Sequence, residues 1–203
     1  MSLRTDLSII SNWITPGSRV LDLGCGDGTL LRHLQDNRQV TGYGLEIDDD
    51  NITRCVAAGV NVIQTDLDAG LSDFHDASFD YVIMTQTLQA VHYPDKLLDE
   101  MLRLGREGIV TFPNFAHWTN RLQVAIGGTM PMSKTLPNPW YSTPNIHLCT
   151  VSDFESLCHE RGIHILERTM VNPDHSSTLC NNFMPNLLGK VALYRFKRRN
   201  NQA

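Results

Sequence analysis

The chemistry-bearing residues of this chain gather first at Asp22-Leu23-Gly24-Cys25-Gly26-Asp27-Gly28, three glycines interleaved with two carboxylates. Glycine lets a backbone turn sharply and approach a ligand with no Cβ in the way. A helix that opens after such a loop offers free N–H groups at its start. Glu46 follows 18 residues after Gly28, and Asp66 follows 20 residues after Glu46. A carboxylate in the place of Glu46 can accept both hydroxyls of a ribose. Asp66 can accept from an adenine amino group.

The charges choose among nucleotide ligands. A dinucleotide loop reads G-x-G-x-x-G and receives an anionic pyrophosphate at the helix start. The spacing here is G-x-G-x-G, flanked by Asp22 and Asp27, and two carboxylates beside a pyrophosphate repel it. The same carboxylates suit an ammonium and a sulfonium. S-adenosylmethionine carries both, together with a ribose and an adenine.

Other reactive side chains are less committed. Methyl transfer to nitrogen or oxygen needs an acceptor in line with the sulfonium and often a base. His92, His117 and His147 are the candidate bases, although each is first expected as an ordinary surface or loop-bonding histidine. For Trp118, Trp140 and Tyr141, ordinary packing is expected ahead of an acceptor site, a cofactor cover or a partner surface. Asp48-Asp49-Asp50 reads as helix-start acids and not as a metal site, and no metal centre is expected. The five cysteines, Cys25, Cys55, Cys149, Cys158 and Cys180, are odd in number and lack C-x-x-C spacing. They are expected as small buried residues, without disulfides or zinc.

These residues need a scaffold, and the hydrophobic pattern supplies one. Short apolar strands are expected at 19–23, 40–46, 60–64, 79–84, 108–112, 163–170 and 191–196. Helical spacing marks Leu3, Leu7, Ile10 and Ile14, then residues 29–35 and 51–58. A further helix opens at Pro94-Asp95, with Asp95 as its expected N-cap. Ser152-Asp153-Phe154-Glu155 resembles a capping box before a helix ending near Gly162. Alternating strands and helices imply a doubly wound α/β fold with a mostly parallel seven-stranded sheet. Ligands in such folds sit at the carboxyl ends of the strands, near the switch point. Residues 115 to about 150, with four prolines, Gly127-Gly128 and several aromatics, break the alternation. They are expected as a lid inserted after the fifth strand of a single domain, residues 1–203. Arg195, Lys197, Arg198 and Arg199 are expected as a solvated basic end.

Composition narrows the class. The chain has 203 residues, a formal charge of −5, 41% apolar and 19% charged residues. That fits one globular domain and argues against a nucleic-acid binder, which needs a Lys/Arg-rich face. No apolar run approaches the length of a membrane helix, about 18 residues. Asp6 stands where a signal peptide is basic. A cytoplasmic protein is expected.

Residues 18 to 113 resemble class I S-adenosylmethionine-dependent methyltransferases. The resemblance implies that Gly24 and Gly26 line the methionine portion and that Glu46 binds the ribose. It implies that Asp66 and the Leu67 backbone bind adenine, and that Gln86, within Thr85-Gln86-Thr87, borders the methionine moiety. The full expected contact set is Asp22, Gly24, Cys25, Gly26, Gly28, Glu46, Ile47, Asp66, Leu67 and Gln86, holding S-adenosylmethionine or S-adenosylhomocysteine.

A narrower resemblance spans nearly the whole chain. It rests on Val20 to Leu31, Gln86-Thr87-Leu88-Gln89-Ala90-Val91, Phe112-Pro113-Asn114-Phe115 with His117-Trp118, Trp140-Tyr141, and Thr143 to Cys149. Together these segments are similar to the MetW family of methionine-biosynthesis proteins. The resemblance implies a bacterial cytoplasmic protein that supports a homoserine O-acyltransferase, MetX. It names no methyl acceptor, so a methyltransferase acting on a small molecule remains the alternative.

Overall fold

The computed structural model describes residues 4–172 and 183–199. The strands are β1 (Arg19–Leu23), β2 (Thr41–Glu46), β3 (Val62–Gln64), β4 (Phe79–Thr85), β5 (Gly105–Pro113), β6 (Ile163–Val171) and β7 (Val191–Arg198). The helices are α1 (Thr5–Trp13), α2 (Thr29–Arg38), α3 (Asp49–Ala57), α4 (Pro94–Leu104), α5 (Trp118–Gly127), α6 (Val151–Glu160) and the short α7 (Pro185–Leu188). The strands form one sheet in the order β3-β2-β1-β4-β5-β7-β6. β1 to β5 are parallel, and β7 runs antiparallel between β5 and β6. The expected doubly wound, mostly parallel seven-stranded sheet is the one observed. Winding reverses between β1 and β4, which places a crevice at their carboxyl ends.

Strand alternation divides the core in two. Leu21 and Leu23 of β1 and Val82 and Met84 of β4 face α4 and α6, where Leu98, Met101 and Phe154 are buried. Val20 of β1 and Ile83 of β4 face α1 and α2, against Ile10, Leu31 and Leu34. Burying each such side chain contributes on the order of 1.5–3 kcal/mol. By the same alternation Asp22, two residues from Val20, lies on the α1–α2 side.

Several local expectations change. The helix expected at 51–58 begins at Asp49, because Asp48 caps it by accepting from Asn51 N at 2.9 Å. Tyr93, not Asp95, is the cap residue of α4; Pro94 takes the first helical position, so Asp95 lies inside the first turn and pairs with Arg161. The capping box of α6 is Thr150 with Asp153, in place of Ser152 with Glu155. β5 begins at Gly105, which pairs with Phe79. Arg195 is not part of a solvated end: it lies within β7, paired with Glu107 at 3.6 Å and with Glu167. Cys25, Cys55 and Cys158 are buried and Cys149 half-buried, all as free thiols. Leu3 and Cys180 lie outside the described residues. Among the described residues no helix is long and apolar enough to cross a membrane.

Candidate functional site

The loop between β1 and α2 is held against the end of β2. Gly24 N and Cys25 N both donate to Leu45 O, at 2.8 and 3.0 Å. Gly24 and Gly26 take φ of +69° and +57°, a region that costs L-residues with a Cβ roughly 1–2 kcal/mol. At Gly24 a Cβ would stand 2.6 Å from Thr87 Oγ1, so the loop and the exit of β4 meet too closely for any side chain. At Gly26 a Cβ would meet nothing within 4 Å. That glycine leaves space, whereas Gly28 permits packing, since its Cβ would press on Cys55 Sγ at 3.0 Å.

Glu46 organises the far side. Its Oε2 accepts from Gly26 N at 2.8 Å, and its Oε1 accepts from Ile47 N at 2.9 Å and Asp48 N at 3.1 Å. A carboxylate has about four lone-pair sites, so capacity for a hydroxyl donor remains. Asp66 caps the turn Leu67–Ala69 by accepting from Asp68 N at 2.9 Å. A cavity of about 260 Å³ opens between Gly24, Glu46, Ile47, Asp66, Leu67 and Thr87. A larger groove of about 760 Å³ lies on the other side of the loop, bordered by Gly24, Cys25, Gly26, Asp27, Arg4 and Thr85. Gly24 belongs to both.

Asp22 lies beneath this loop, 1% exposed, and its Oδ1 is buried without a hydrogen-bond partner. Burial, reinforced by the nearby Glu46 charge, pushes its carboxyl up to about 7. A buried, orphaned carboxyl oxygen is a costly feature in a fold, and a cation brought close would offset it. Behind the loop, Cys55 Sγ donates to Gly26 O at 3.2 Å and lies 3.8 Å from Cys25 Sγ. Burial pushes both thiols up, so they hold the loop as neutral groups.

Of the expected contact set, Gly24, Glu46, Ile47, Asp66 and Leu67 border the smaller cavity, and Cys25 and Gly26 border the groove. Asp22 and Gly28 border neither. Gln86 borders a separate cavity of about 290 Å³ with Arg4, Thr135, Pro137, Asn172 and Val191. Gln86 has φ +53°, and its N–H donates to Thr111 O and Oγ1 at 2.9 and 3.0 Å. Non-glycine residues in that region cluster at functional sites. The glycine-lined surface fits an adenosyl group with a cationic tail: Glu46 and Asp66 border the smaller cavity, Asp22 adds a buried carboxyl, and the open Cβ direction is at Gly26.

The histidines separate. His92 Nδ1 pairs with Asp68 Oδ2 at 2.7 Å, and His147 Nε2 reaches His92 O at 3.3 Å. His117 instead caps α5, its Nδ1 accepting from Thr119 N at 3.3 Å. Burial and then Lys190 lower the His117 imidazole, which keeps that nitrogen an acceptor. None of the three borders the cavity at Gln86.

Thr87 and Asn114 enter the sequence reading only as members of longer segments, with no separate role. Thr87 matters through its closeness to Gly24, and Asn114 through its bonds. Asn114 Nδ2 donates to Pro185 O, Asn186 O and Gly189 O, while Oδ1 accepts from Ala116 N and Val151 N. Its side chain is thus spent on tying the two ends of segment 115–150 together. That segment borders the strand ends: Ile146 N and His147 N donate to Gln89 O at 2.9 and 3.0 Å. Its aromatics do not pack as expected. Trp118 is 45%, Trp140 73% and Tyr141 74% exposed, because no described element covers that side.

Comparisons with known proteins bear on the fold and the family. The family described as methionine biosynthesis protein MetW matches residues 4–196. The bifunctional methionine biosynthesis protein MetXA/MetW of Rhodopirellula baltica is 35% identical over 209 residues, spanning 98% of this chain. This chain spans only 34% of that relative's length. Among solved structures, an S-adenosylmethionine-dependent methyltransferase from Mesorhizobium loti matches with TM-score 0.68 and 19% identity, covering 96% of this chain and 98% of the other. Phosphoethanolamine N-methyltransferase 2 of Haemonchus contortus, in complex with S-adenosyl-L-methionine, matches with TM-score 0.68 and 15% identity, covering 96% and 52%. The solved structures share the fold, that of class I S-adenosylmethionine-dependent methyltransferases. The match across residues 4–196 and the relative at 35% identity go further: this chain belongs to the MetW family of methionine-biosynthesis proteins.

Proposed function

We propose that this chain binds S-adenosylmethionine or S-adenosylhomocysteine at the β1–α2 loop and supports a homoserine O-acyltransferase of the MetX kind in the cytoplasm. The observation that carries the second half is the fused relative, whose name joins MetXA and MetW in one polypeptide. The first half is supported by the fit of the cradle. In this reading Glu46, already fixed by three backbone N–H groups, presents its one remaining lone-pair site to a ribose hydroxyl. Asp66, Leu67 and Ile47 border the adenine, and Gly26 leaves room for the methionine chain. Asp22 supplies buried negative charge beneath it. When bound, the cofactor supplies a sulfonium carrying a transferable methyl group.

Acyltransferase activity, measured alone, with this chain, and with this chain plus cofactor, tests the reading. Activity that rises when the chain is added supports it; identical activity in all three overturns it. The methyltransferase alternative is favoured by one feature, the cavity at Gln86, which gives an acceptor room. Methyl transfer from labelled cofactor to metabolites of a lysate would establish that alternative. Demonstrated cofactor binding with no labelled product would count against it.

A further inference from the structure

Among the described residues, 17 large apolar side chains are exposed, and ten of them lie between Trp118 and Leu148. α5 shows why this is unusual. Its only buried residue is the polar Asn120, while Trp118, Leu122, Val124 and Ile126 are exposed. Trp118, Leu122 and Ile126 are spaced four apart and therefore share one face. α4, of similar length, buries five apolar residues. A soluble helix normally turns its apolar stripe inward, and here it faces outward. Trp140 and Tyr141 form an edge-to-face pair with ring centroids 5.7 Å apart and add to the same exposed segment.

Composition separates this segment from ordinary surface. Residues 115–150 contain no Asp or Glu, although the chain has 22, and only Arg121 and Lys134 carry formal charge. Tryptophan, tyrosine and methionine enriched and charge depleted is the signature of an interface core. Exposed apolar side chains concentrated in one segment in this way point to an interaction site.

The occupant follows from the fused relative. This chain corresponds to 34% of that polypeptide, so the remainder is tethered beside a unit of this kind. Where the two halves are separate chains, a surface must do the work of the tether. We infer that the outward face of segment 115–150, centred on Trp118, Leu122, Ile126, Trp140 and Tyr141, docks the acyltransferase. This inference rests on the acyltransferase reading above and adds where contact is made. The same segment is bonded to Gln89 O next to Ala90 and Val91, which border the adenosyl cavity. Docking and cofactor binding therefore meet at one short turn.

Binding of the purified acyltransferase to the full chain, compared with Ile126→Asp, Trp140→Ser and the control Val56→Asp on α3, tests the placement. The docking account expects Ile126→Asp and Trp140→Ser each to weaken binding about 30-fold or more, as central interface positions do. The control should bind as the unaltered chain does. Each variant should keep the far-ultraviolet circular dichroism and the cooperative urea unfolding of the unaltered chain, and this shows that it is folded. If the unaltered chain does not bind the acyltransferase, the functional reading itself fails, and this inference with it. If the unaltered chain binds and both variants bind equally well, the function stands and the placement is wrong. If the chain alone is a dimer that Ile126→Asp separates, a second copy occupies the face and the placement is overturned.

Discussion

Replacing Asp22 with asparagine tests the electrostatics of the site without any ligand. The folded state holds this carboxyl at about 7, against an ordinary value of 3.8. At about 1.4 kcal/mol per pH unit, that gap corresponds to a native-state cost of about 4 kcal/mol once the group is ionised. The sign follows from linkage. A carboxyl whose pKa is raised by folding binds its proton more tightly in the native state. Its contribution is therefore most favourable below about pH 4, is lost as pH rises, and is gone above about pH 7. Asp22→Asn removes that slope. Measured by urea unfolding at about pH 5 and about pH 8, the variant should gain about 2–3 kcal/mol more, relative to the unaltered protein, at the higher pH. Other titrating groups are common to both proteins and largely cancel. An equal difference at both pH values, or a larger gain at the lower one, would refute the assignment of a strained buried carboxyl. The same variant should bind S-adenosylmethionine more weakly at the higher pH, since it can no longer offer negative charge.

Gly26→Ala should fold with a loss of about 1–2 kcal/mol from its left-handed backbone, yet lose S-adenosylhomocysteine binding in calorimetry, because its Cβ enters the open cradle. Glu46→Gln should cost about 1–3 kcal/mol in urea unfolding, since an amide cannot accept from all three backbone donors that converge there. Thr150→Ala breaks the capping box of α6 and should cost about 1 kcal/mol in the same assay.

The parts of the site that were legible in the sequence are those decided by near neighbours. A strand, a glycine loop and a helix in succession required a sharp turn at 24–28, and an acid ending the next strand had to come beside it. Parallel pairing of β1 with β2, Leu23 against Leu45, makes that happen. Capping was harder because Thr150-Val151-Ser152-Asp153 and Ser152-Asp153-Phe154-Glu155 offer rival hydroxyl–carboxylate sets; the helix start at Val151 selects Thr150. Asp95 is not the cap because Pro94 takes the first helical position, which sets the cap at Tyr93, two residues earlier.

Long-range packing was hidden. Nothing adjacent to Asp22 announces that its Oδ1 is sealed from solvent, a result of the sheet and the loop closing on it. Arg195 looked like part of a basic end, and only pairing of β7 with β5 and β6 brings Glu107 and Glu167 to it. The aromatic insertion was visible as a segment, but which way its rings face depends on whether an element covers α5.

The central claim is that acidic groups and backbone amides at the end of β1 and β2 were shaped for a cationic sulfur nucleoside. Titration calorimetry of the full chain with S-adenosylmethionine and with NAD, at about pH 6 and about pH 8 in buffers of differing ionisation heat, tests it most directly. The account predicts saturable binding of S-adenosylmethionine that tightens toward the higher pH and releases a proton at the lower one, as Asp22 ionises beside the bound cation, with no comparable binding of NAD. Binding of NAD as tight as that of S-adenosylmethionine, or no heat from S-adenosylmethionine at either pH, would contradict it.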